Sequence, residues 1–190
     1  MKKEFYVFRH GETDLNKMKC WQGSGMDYDL NATGIAQGEA LADKLAGKGL
    51  EVIYSSPLKR ALHTAEIVGA ALEIPVVVEN DLRECHYGMA EGRSLSEFPD
   101  YLTAWQDPCN MEVAIPGGEK KGEALQRVLR VFDHLLTEPS RIMGVAIHRG
   151  TMLNLLWHYH FDFEGINLPN CAVFHLIHDE EGWRIEGGLF

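Results

Sequence analysis

Cysteine is scarce in this sequence, and its spacing matches neither a zinc site nor a disulfide framework. The chain has four cysteines among 190 residues, at Cys20, Cys85, Cys109 and Cys171. They are widely separated and include no Cys-x-x-Cys pair. Metal sites and disulfide-rich secreted domains use closely or regularly spaced cysteines. The pattern therefore argues against both and favours reduced thiols, which are typical of a cytoplasmic protein.

Positive charge and long apolar runs are also scarce. The chain carries 18 Lys and Arg against 28 Asp and Glu, a formal net charge of -10. A nucleic-acid-binding surface needs a basic face, and a membrane span needs about 20 consecutive apolar residues. The first apolar run also begins too close to Met1 to leave room for a signal peptide. We therefore expect a cytoplasmic protein that binds neither nucleic acid nor membrane.

What is present is the composition of a soluble globular protein. Of the 190 residues, 45% are hydrophobic and 24% are charged, which suits one substantial core. No repeat, linker or low-complexity segment divides the chain. We therefore predict a single domain over residues 1–190.

Strand-like and helix-like segments alternate along the chain. Apolar runs at 5–8, 52–54, 76–78 and 145–147 predict strands, and the segments at 173–177 and 183–185 predict a closing hairpin. Helical spacing of apolar residues predicts helices at 33–45, 57–72 and 125–136, with Ser56 capping the second. This order predicts a three-layer α/β/α fold, whose mostly parallel sheet has helices on both faces.

Three of the predicted strands are followed by side chains that can handle phosphate. His10 follows the first strand, Arg60 lies shortly after the second, and His148 follows the strand at 145–147. The carboxyl ends of the strands in an open α/β sheet meet at one crevice. Guanidinium groups bind phosphate oxygens, and a neutral imidazole nitrogen is a nucleophile. The group therefore predicts phosphoryl transfer, whereas each residue taken alone is more often a packed histidine or a solvated arginine.

A longer series of motifs contains these residues and runs almost from end to end of the chain. It comprises Arg9-His10-Gly11-Glu12-Thr13, Asn16, Gln22-Gly23, Ser55-Ser56-Pro57, Arg60-Ala61, Leu82-Arg83-Glu84, Pro116-Gly117-Gly118-Glu119 and His148. The ordered set resembles the histidine phosphatases, also called the phosphoglycerate mutase superfamily, and among them the phosphatase branch that resembles α-ribazole phosphatase. The resemblance implies a phosphoglycerate mutase-like fold and chemistry that requires neither metal nor cofactor.

The resemblance also implies a role for each matching residue. His10 is the nucleophile that becomes phosphohistidine, and Glu84 donates a proton to the leaving oxygen. Arg9, Asn16, Arg60 and His148 hold the transferring phosphoryl group. Further candidates for binding the substrate phosphate are Gln22, Gly23 and Arg149. For the acid, the neighbouring carboxylates Glu12, Asp81 and Glu91 are alternatives.

Each reactive residue has a protonation state to maintain. His10 must be neutral to attack, and we expect the nearby arginines to lower its pKa and a backbone carbonyl to bind its second ring nitrogen. Glu84 must hold a proton, which burial or the substrate phosphate could favour.

The chain departs from the family pattern after the second catalytic histidine. Arg149 stands where the family usually has glycine, and it either points away from the site or adds a cation at the rim of the pocket. The segment 91–121 corresponds to the variable insert of the family, which covers the site and selects the substrate.

Three functions are compatible with this resemblance. We favour a phosphomonoester phosphatase that acts on a small phosphorylated metabolite, because the insert is short and a mutase must shield its phosphohistidine from water. A phosphoglycerate mutase is the alternative, since Cys85-His86-Tyr87-Gly88 is similar to the mutase segment. A non-catalytic binding module is the third, although it would need neither nucleophile nor acid. The terminal hairpin or an edge strand could pair two copies into a homodimer.

Overall fold

A six-stranded sheet forms the centre of the molecule. The computed structural model describes residues 2–161 and 168–187. The strands are β1 (Lys3–Arg9), β2 (Val52–Ser55), β3 (Val76–Val78), β4 (Ile142–Ile147), β5 (Val173–Asp179) and β6 (Gly182–Glu186), and their spatial order is β3-β2-β4-β1-β5-β6. Strands β3, β2, β4 and β1 run parallel, whereas β5 is antiparallel to both β1 and β6. The predicted parallel sheet and closing hairpin are therefore confirmed.

Six α-helices are found in the described ranges. They are α1 (Asp14–Lys17), α2 (Ala32–Leu45), α3 (Lys59–Leu72), α4 (Pro99–Gln106), α5 (Lys121–Leu135) and α6 (Arg149–His158). Helices α2, α3, α5 and α6 flank the sheet, and the first three match the predicted helices, whereas α6 was not predicted from the sequence.

The alternation of side chains along β1 separates the two helical layers. Phe5 and Val7 belong to the core that contains the apolar residues of α5 and α6. Tyr6 and Phe8 point to the opposite face and share a core with α2 and α3. Successive side chains of a strand face opposite sides of the sheet, so β1 is covered on both. The structure confirms the predicted three-layer α/β/α fold.

The predicted capping of α3 by Ser56 is wrong. The helix begins at Lys59, its N-cap is Leu58, and no side chain caps it. The Ser56 hydroxyl oxygen instead lies 2.7 Å from Nε2 of His148. A tertiary partner has therefore replaced the local capping role that Ser residues often have.

The segment 91–121 contains more regular structure than the sequence indicated. Helix α4 lies inside it and starts with Pro99, a residue that suits the first turn of a helix. Trp105 of this helix packs against Tyr87, which in turn contacts Trp21. These aromatic side chains belong to a third apolar cluster, which joins the segment to the loops beside the sheet.

Two further features concern the state of the cysteines and the character of the helices. All four cysteines are free thiols. Within residues 2–161 and 168–187, no helix combines the length and the apolar character that a membrane crossing requires.

Candidate active site

The sheet topology brings His10 and His148 together. Strands β1 and β4 are parallel neighbours, with Arg9 opposite Ile147 in their register. His10 follows β1 and His148 follows β4, and the centroids of their rings lie 5.2 Å apart. Parallel strands expose their carboxyl ends at one edge of the sheet, so two residues far apart in sequence meet there.

A cavity of about 420 Å³ opens beside these histidines. Six of the predicted site residues line it: Arg9, His10, Asn16, Gln22, Glu84 and Arg149. Arg60 and His148 are fully buried next to His10 and do not line the cavity. Gly23 directs its carbonyl oxygen towards Arg60, 3.2 Å from a terminal guanidinium nitrogen.

The ring of His10 is held in its neutral form. Its Nδ1 lies 2.7 Å from the carbonyl oxygen of Gly11, and because a carbonyl only accepts hydrogen bonds, Nδ1 carries the proton. The lone pair is therefore on Nε2. Burial, together with the positive charges of Arg60 and Arg9, lowers the pKa of His10 well below its ordinary value. Both expectations for this residue are confirmed.

Ser56 determines which nitrogen of His148 carries a proton. The pKa of His148 is also lowered well below its ordinary value, by burial and then by Arg60, so the ring is neutral. The Ser56 oxygen accepts a hydrogen bond from the Leu58 amide at 3.3 Å, and among the described residues Nε2 of His148 is the only acceptor within reach of the hydroxyl proton. Nδ1 of His148 is therefore the donor, and no feature of the sequence indicated Ser56 as its partner.

Buried donors without partners surround the two rings. Within the described residues, Nε of Arg9, Nε of Arg60, Nε2 of Gln22 and Nδ1 of His148 are buried and bind nothing. Buried polar groups are nearly always hydrogen-bonded, so these four atoms mark the place of a polar ligand. Burial lowers the pKa of both Arg9 and Arg60 to about 10, and both stay charged at neutral pH.

Backbone carbonyls hold the two buried arginines in place. A terminal nitrogen of Arg9 donates to the oxygen of Leu168 at 2.6 Å. Arg60 donates to the oxygen of Met26 at 2.8 Å and to that of Gly23. Neutral carbonyls orient a guanidinium without cancelling its charge, so both cations are available to an anion.

Two side chains that the sequence did not single out orient the amides of the site. Asn170 donates to Oδ1 of Asn16 at 3.1 Å, and the Thr13 hydroxyl donates to Oε1 of Gln22 at 2.7 Å. With each oxygen occupied, the amide nitrogen of Gln22 is left for a ligand, and that of Asn16, which donates to Oε1 of Gln22 at 3.5 Å, has its second hydrogen left. No local sequence pattern could indicate the contact between Asn170 and Asn16, because 154 residues separate them.

The start of helix α6 holds Glu84. One oxygen, Oε1, accepts from the Cys85 amide at 3.0 Å and from the Thr151 amide at 3.1 Å and hydroxyl at 3.0 Å. The other, Oε2, accepts from the Gly150 amide at 2.9 Å and has no other partner in the described chain. Oε2 is therefore the atom that has room to carry a proton.

Glycine is required at position 150. A Cβ atom there would lie 2.3 Å from the Tyr87 hydroxyl oxygen and 2.9 Å from Oε1 of Glu84. Such distances are far inside van der Waals contact, so any larger residue would displace Glu84. The position at which only glycine fits is therefore residue 150, one residue after Arg149.

The other candidate acids are less well placed. Asp81 pairs with Arg83 at 3.0 Å, and Oε1 of Glu91 accepts from the Tyr87 amide at 3.0 Å. Neither lines the cavity. Glu12 does line it, but its Oε1 accepts a hydrogen bond from Asn31 at 3.0 Å. The geometry favours Glu84.

Arg149 lines the cavity rather than pointing away from it. It is solvent-exposed, and it makes no hydrogen bond or ion pair with any residue that the structure describes. Of the two alternatives left open by the sequence, the geometry therefore favours a cation at the rim.

The chain belongs to the histidine phosphatase superfamily. The model of branch 1 of this superfamily matches residues 5–188. The chain is 31% identical to the uncharacterized phosphatase PhoE of Bacillus subtilis (strain 168), over 95% of this chain and 91% of that protein. Family membership and this phosphatase relative support a hydrolase of phosphoric monoesters.

Two further comparisons cover the mutase and α-ribazole phosphatase resemblances. The chain is 27% identical to the probable phosphoglycerate mutase GpmB of Proteus mirabilis (strain HI4320), over 97% of this chain and 89% of that protein. A solved structure described as a putative alpha-ribazole-5'-P phosphatase from Escherichia coli str. K-12 substr. MG1655 superimposes with a TM-score of 0.80. It covers 97% of this chain and 94% of that chain at 24% identity, and it confirms the fold.

Proposed function

We propose that the protein hydrolyses the phosphomonoester of a small metabolite through a phosphohistidine at Nε2 of His10. The observation that carries the proposal is the neutral ring of His10 surrounded by unpartnered buried donors. A transferring phosphoryl group spreads negative charge over three oxygens, which need fixed donors around them. The donors of Arg9, Gln22, Arg60 and His148 fit that need.

The first half-reaction transfers the phosphoryl group to the enzyme. Nε2 of His10 attacks phosphorus, the bond from phosphorus to the ester oxygen breaks, and that oxygen takes a proton from Oε2 of Glu84. The ring becomes positively charged as the bond from nitrogen to phosphorus forms. The Gly11 carbonyl, which accepts from Nδ1, stabilises this charge.

The second half-reaction releases phosphate. Ionised Glu84 accepts a proton from water, the resulting nucleophile attacks phosphorus in line, and the bond to His10 breaks. The products are inorganic phosphate and neutral His10, with the proton back on Glu84. The four hydrogen bonds to Glu84 keep its carboxyl group in place during both steps.

A phosphoglycerate mutase is the second candidate function. The relative named as a probable mutase and the Cys85-His86-Tyr87-Gly88 segment favour it. A mutase returns the phosphoryl group to an organic acceptor, whereas a phosphatase gives it to water. Product analysis separates the two, because only the phosphatase releases one phosphate for each ester consumed.

The proposal also includes the domain organisation, the cellular compartment and the ligands of the enzyme. Residues 1–190 act as a single domain, and the segment 91–121 covers the site, since its Leu95 lines the cavity. The four free thiols suit a reducing cytoplasm. The reaction as written uses no metal or cofactor, and its partner is the small phosphoester.

The test is to trap the intermediate. Purified protein is mixed briefly with ³²P-labelled phosphoester, quenched in alkali, and examined for label that is stable in base and labile in acid. We expect label in the wild type and none in His10→Ala, together with loss of essentially all phosphate release by that variant. Phosphate release at the wild-type rate by a correctly folded His10→Ala would refute the mechanism, and absence of both label and turnover in the wild type would favour a binding role.

A further inference from the structure

Arg149 is an exposed cation that lines the cavity, and it makes no ion pair with any residue that the structure describes. Some exposed cations are paired, such as Lys2 with Glu4 at 2.8 Å and Lys120 with Glu112 at 2.7 Å, whereas others, such as Lys17 and Lys44, make no ion pair with a described residue and do not line the cavity. A cation that lines a cavity and has no carboxylate partner can attract an anionic ligand there. Arg149 meets both conditions.

Lys19 lines the same cavity and shares this property. It is exposed and makes no ion pair within the described chain. It lies just beyond helix α1, so it reaches the cavity from the opposite end of the sequence to Arg149. Glu12 lines the same cavity but forms no ion pair with Lys19 or Arg149, so these two cations, which come from separate elements, form what we call the basic rim.

The position of Glu84 determines which part of a substrate meets this rim. The ester oxygen has to hydrogen-bond to Oε2 of Glu84, and Oε2 lies 2.9 Å from the amide nitrogen of Gly150. Arg149 immediately precedes Gly150. The leaving group therefore begins beside residue 150, and its next few atoms come within reach of the long Arg149 side chain.

We propose that Arg149 and Lys19 form a second anion site, which selects phosphomonoesters whose leaving group carries a further anionic group a few bonds from the ester oxygen. The inference rests on the proposed function and adds the class of substrate to it. A carboxylate or a second phosphate has the charge required, and the planar guanidinium can bind either through two hydrogen bonds. The buried donors beneath hold the transferring phosphoryl group, so the exposed cations are left for the other end of the substrate.

The apolar part of the cavity lining offers a competing outcome. Trp21, Leu95 and Leu168 line it, and these side chains would favour an uncharged apolar leaving group. A comparison of esters that differ only in charge decides between the two.

The experiment measures kcat/KM for matched esters. 3-Phosphoglycerate is compared with glycerol 3-phosphate, phosphoserine with phosphoethanolamine, and p-nitrophenyl phosphate serves as an ester without a second anion. We expect the wild type to prefer the anionic member of each pair by about tenfold or more. In Arg149→Gln this preference should fall at least tenfold through a higher KM, Arg149→Lys should retain part of it, and Lys19→Gln should show a smaller loss.

Lys17→Gln is the matched control, because it removes the same charge from an exposed residue of α1 that does not line the cavity. It should leave the preference unchanged. Equal kcat/KM for both members of each pair in the wild type, or an equal loss on every ester in Arg149→Gln, would overturn the second anion site. Hydrolysis of p-nitrophenyl phosphate by the wild type in that case would leave the proposed function standing. Failure of the wild type on every ester would overturn the proposed function, and the inference with it.

Discussion

Ser56 Oγ and His148 Nε2 lie 2.7 Å apart, and this contact joins the end of β2 to the end of β4. The hydroxyl oxygen accepts from the Leu58 amide, and the ring is the only described acceptor for the hydroxyl proton. A neutral histidine has two tautomers, and the wrong one would present a lone pair to a phosphoryl oxygen. Ser56 is in this sense a positioning residue for His148.

Removal of the Ser56 hydroxyl should allow the His148 ring to adopt its other tautomer. For Ser56→Ala we expect kcat to fall by about fivefold with little change in KM, because one neutral hydrogen bond is worth about 1 kcal/mol. The ¹⁵N chemical shifts of the histidine rings give a direct readout, since protonated and unprotonated ring nitrogens differ in shift. Ser55→Ala is the control: Ser55 is equally buried, but its hydroxyl donates to the Ser56 carbonyl at 3.0 Å. A wild-type tautomer in Ser56→Ala would contradict the assignment.

The orientation of the Asn16 amide should depend on Asn170. Asn170→Ala removes one of the two hydrogen bonds to Oδ1 of Asn16 and leaves the other, from the Thr13 amide at 3.2 Å, so the Asn16 amide is held less firmly; the variant also removes the bond to the His10 carbonyl. We expect inhibition by orthophosphate to weaken by roughly fivefold to tenfold, the effect of one lost hydrogen bond. Pro169→Ala alters the neighbouring wall of the cavity without removing a side-chain hydrogen bond, and it should have less effect. Equal inhibition constants for the wild type and Asn170→Ala would exclude this role.

The acid role of Glu84 predicts a dependence on the leaving group. Glu84→Gln keeps the shape of the side chain but cannot donate a carboxylic proton. We expect its loss of kcat/KM to be at least tenfold larger for alkyl phosphates than for p-nitrophenyl phosphate, because nitrophenolate leaves without protonation. Glu12→Gln, in the same cavity, should affect the two kinds of ester equally. The reverse pattern in these two variants would assign the acid to Glu12.

The lowered pKa values of His10 and His148 predict acid destabilisation. Unfolding restores each histidine to its ordinary pKa of 6.5, so below that pH the unfolded chain binds protons that the folded chain excludes. Stability should therefore fall as the pH drops, by about 1.4 kcal/mol for each histidine at one unit below 6.5. Urea denaturation at pH 7.5 and pH 5.5 measures the difference.

A double variant tests the source of this effect. His10→Asn with His148→Asn should reduce the stability difference between the two pH values by about 2–3 kcal/mol. His134→Asn changes an exposed residue on α5, and the difference should not respond to it. An unchanged difference in the double variant would mean that other groups cause the acid sensitivity.

The sequence predicted those parts of the fold that depend on local patterns. The strands, the terminal hairpin and the two helical layers follow from apolar periodicity, and the structure confirms them. Helix α4 was missed because its composition is rich in aromatic residues and it opens with Pro99. The role of Ser56 was mistaken because a distant histidine, 92 residues away, takes the place of a local cap.

The sequence predicted the position of those site residues that directly follow a strand. His10 and His148 could be placed in this way, and the cavity contains most of the predicted residues. The orienting partners Thr13, Thr151 and Asn170 could not be found, since their roles depend on which atom of a neighbour they reach. The direction of the Arg149 side chain was open for the same reason.

The central place of β4 has a consequence for protein synthesis. This strand lies between β1 and β2 in the sheet, although about 90 residues separate it from β2 in the sequence, so it is synthesised well after both. A nascent or truncated chain that ends before residue 142 has two strands with no partner between them, and His148 is absent. His10 is translated early but gains its surroundings only when the last third of the chain is complete. An unfinished product therefore cannot hydrolyse the phosphoesters of the cell.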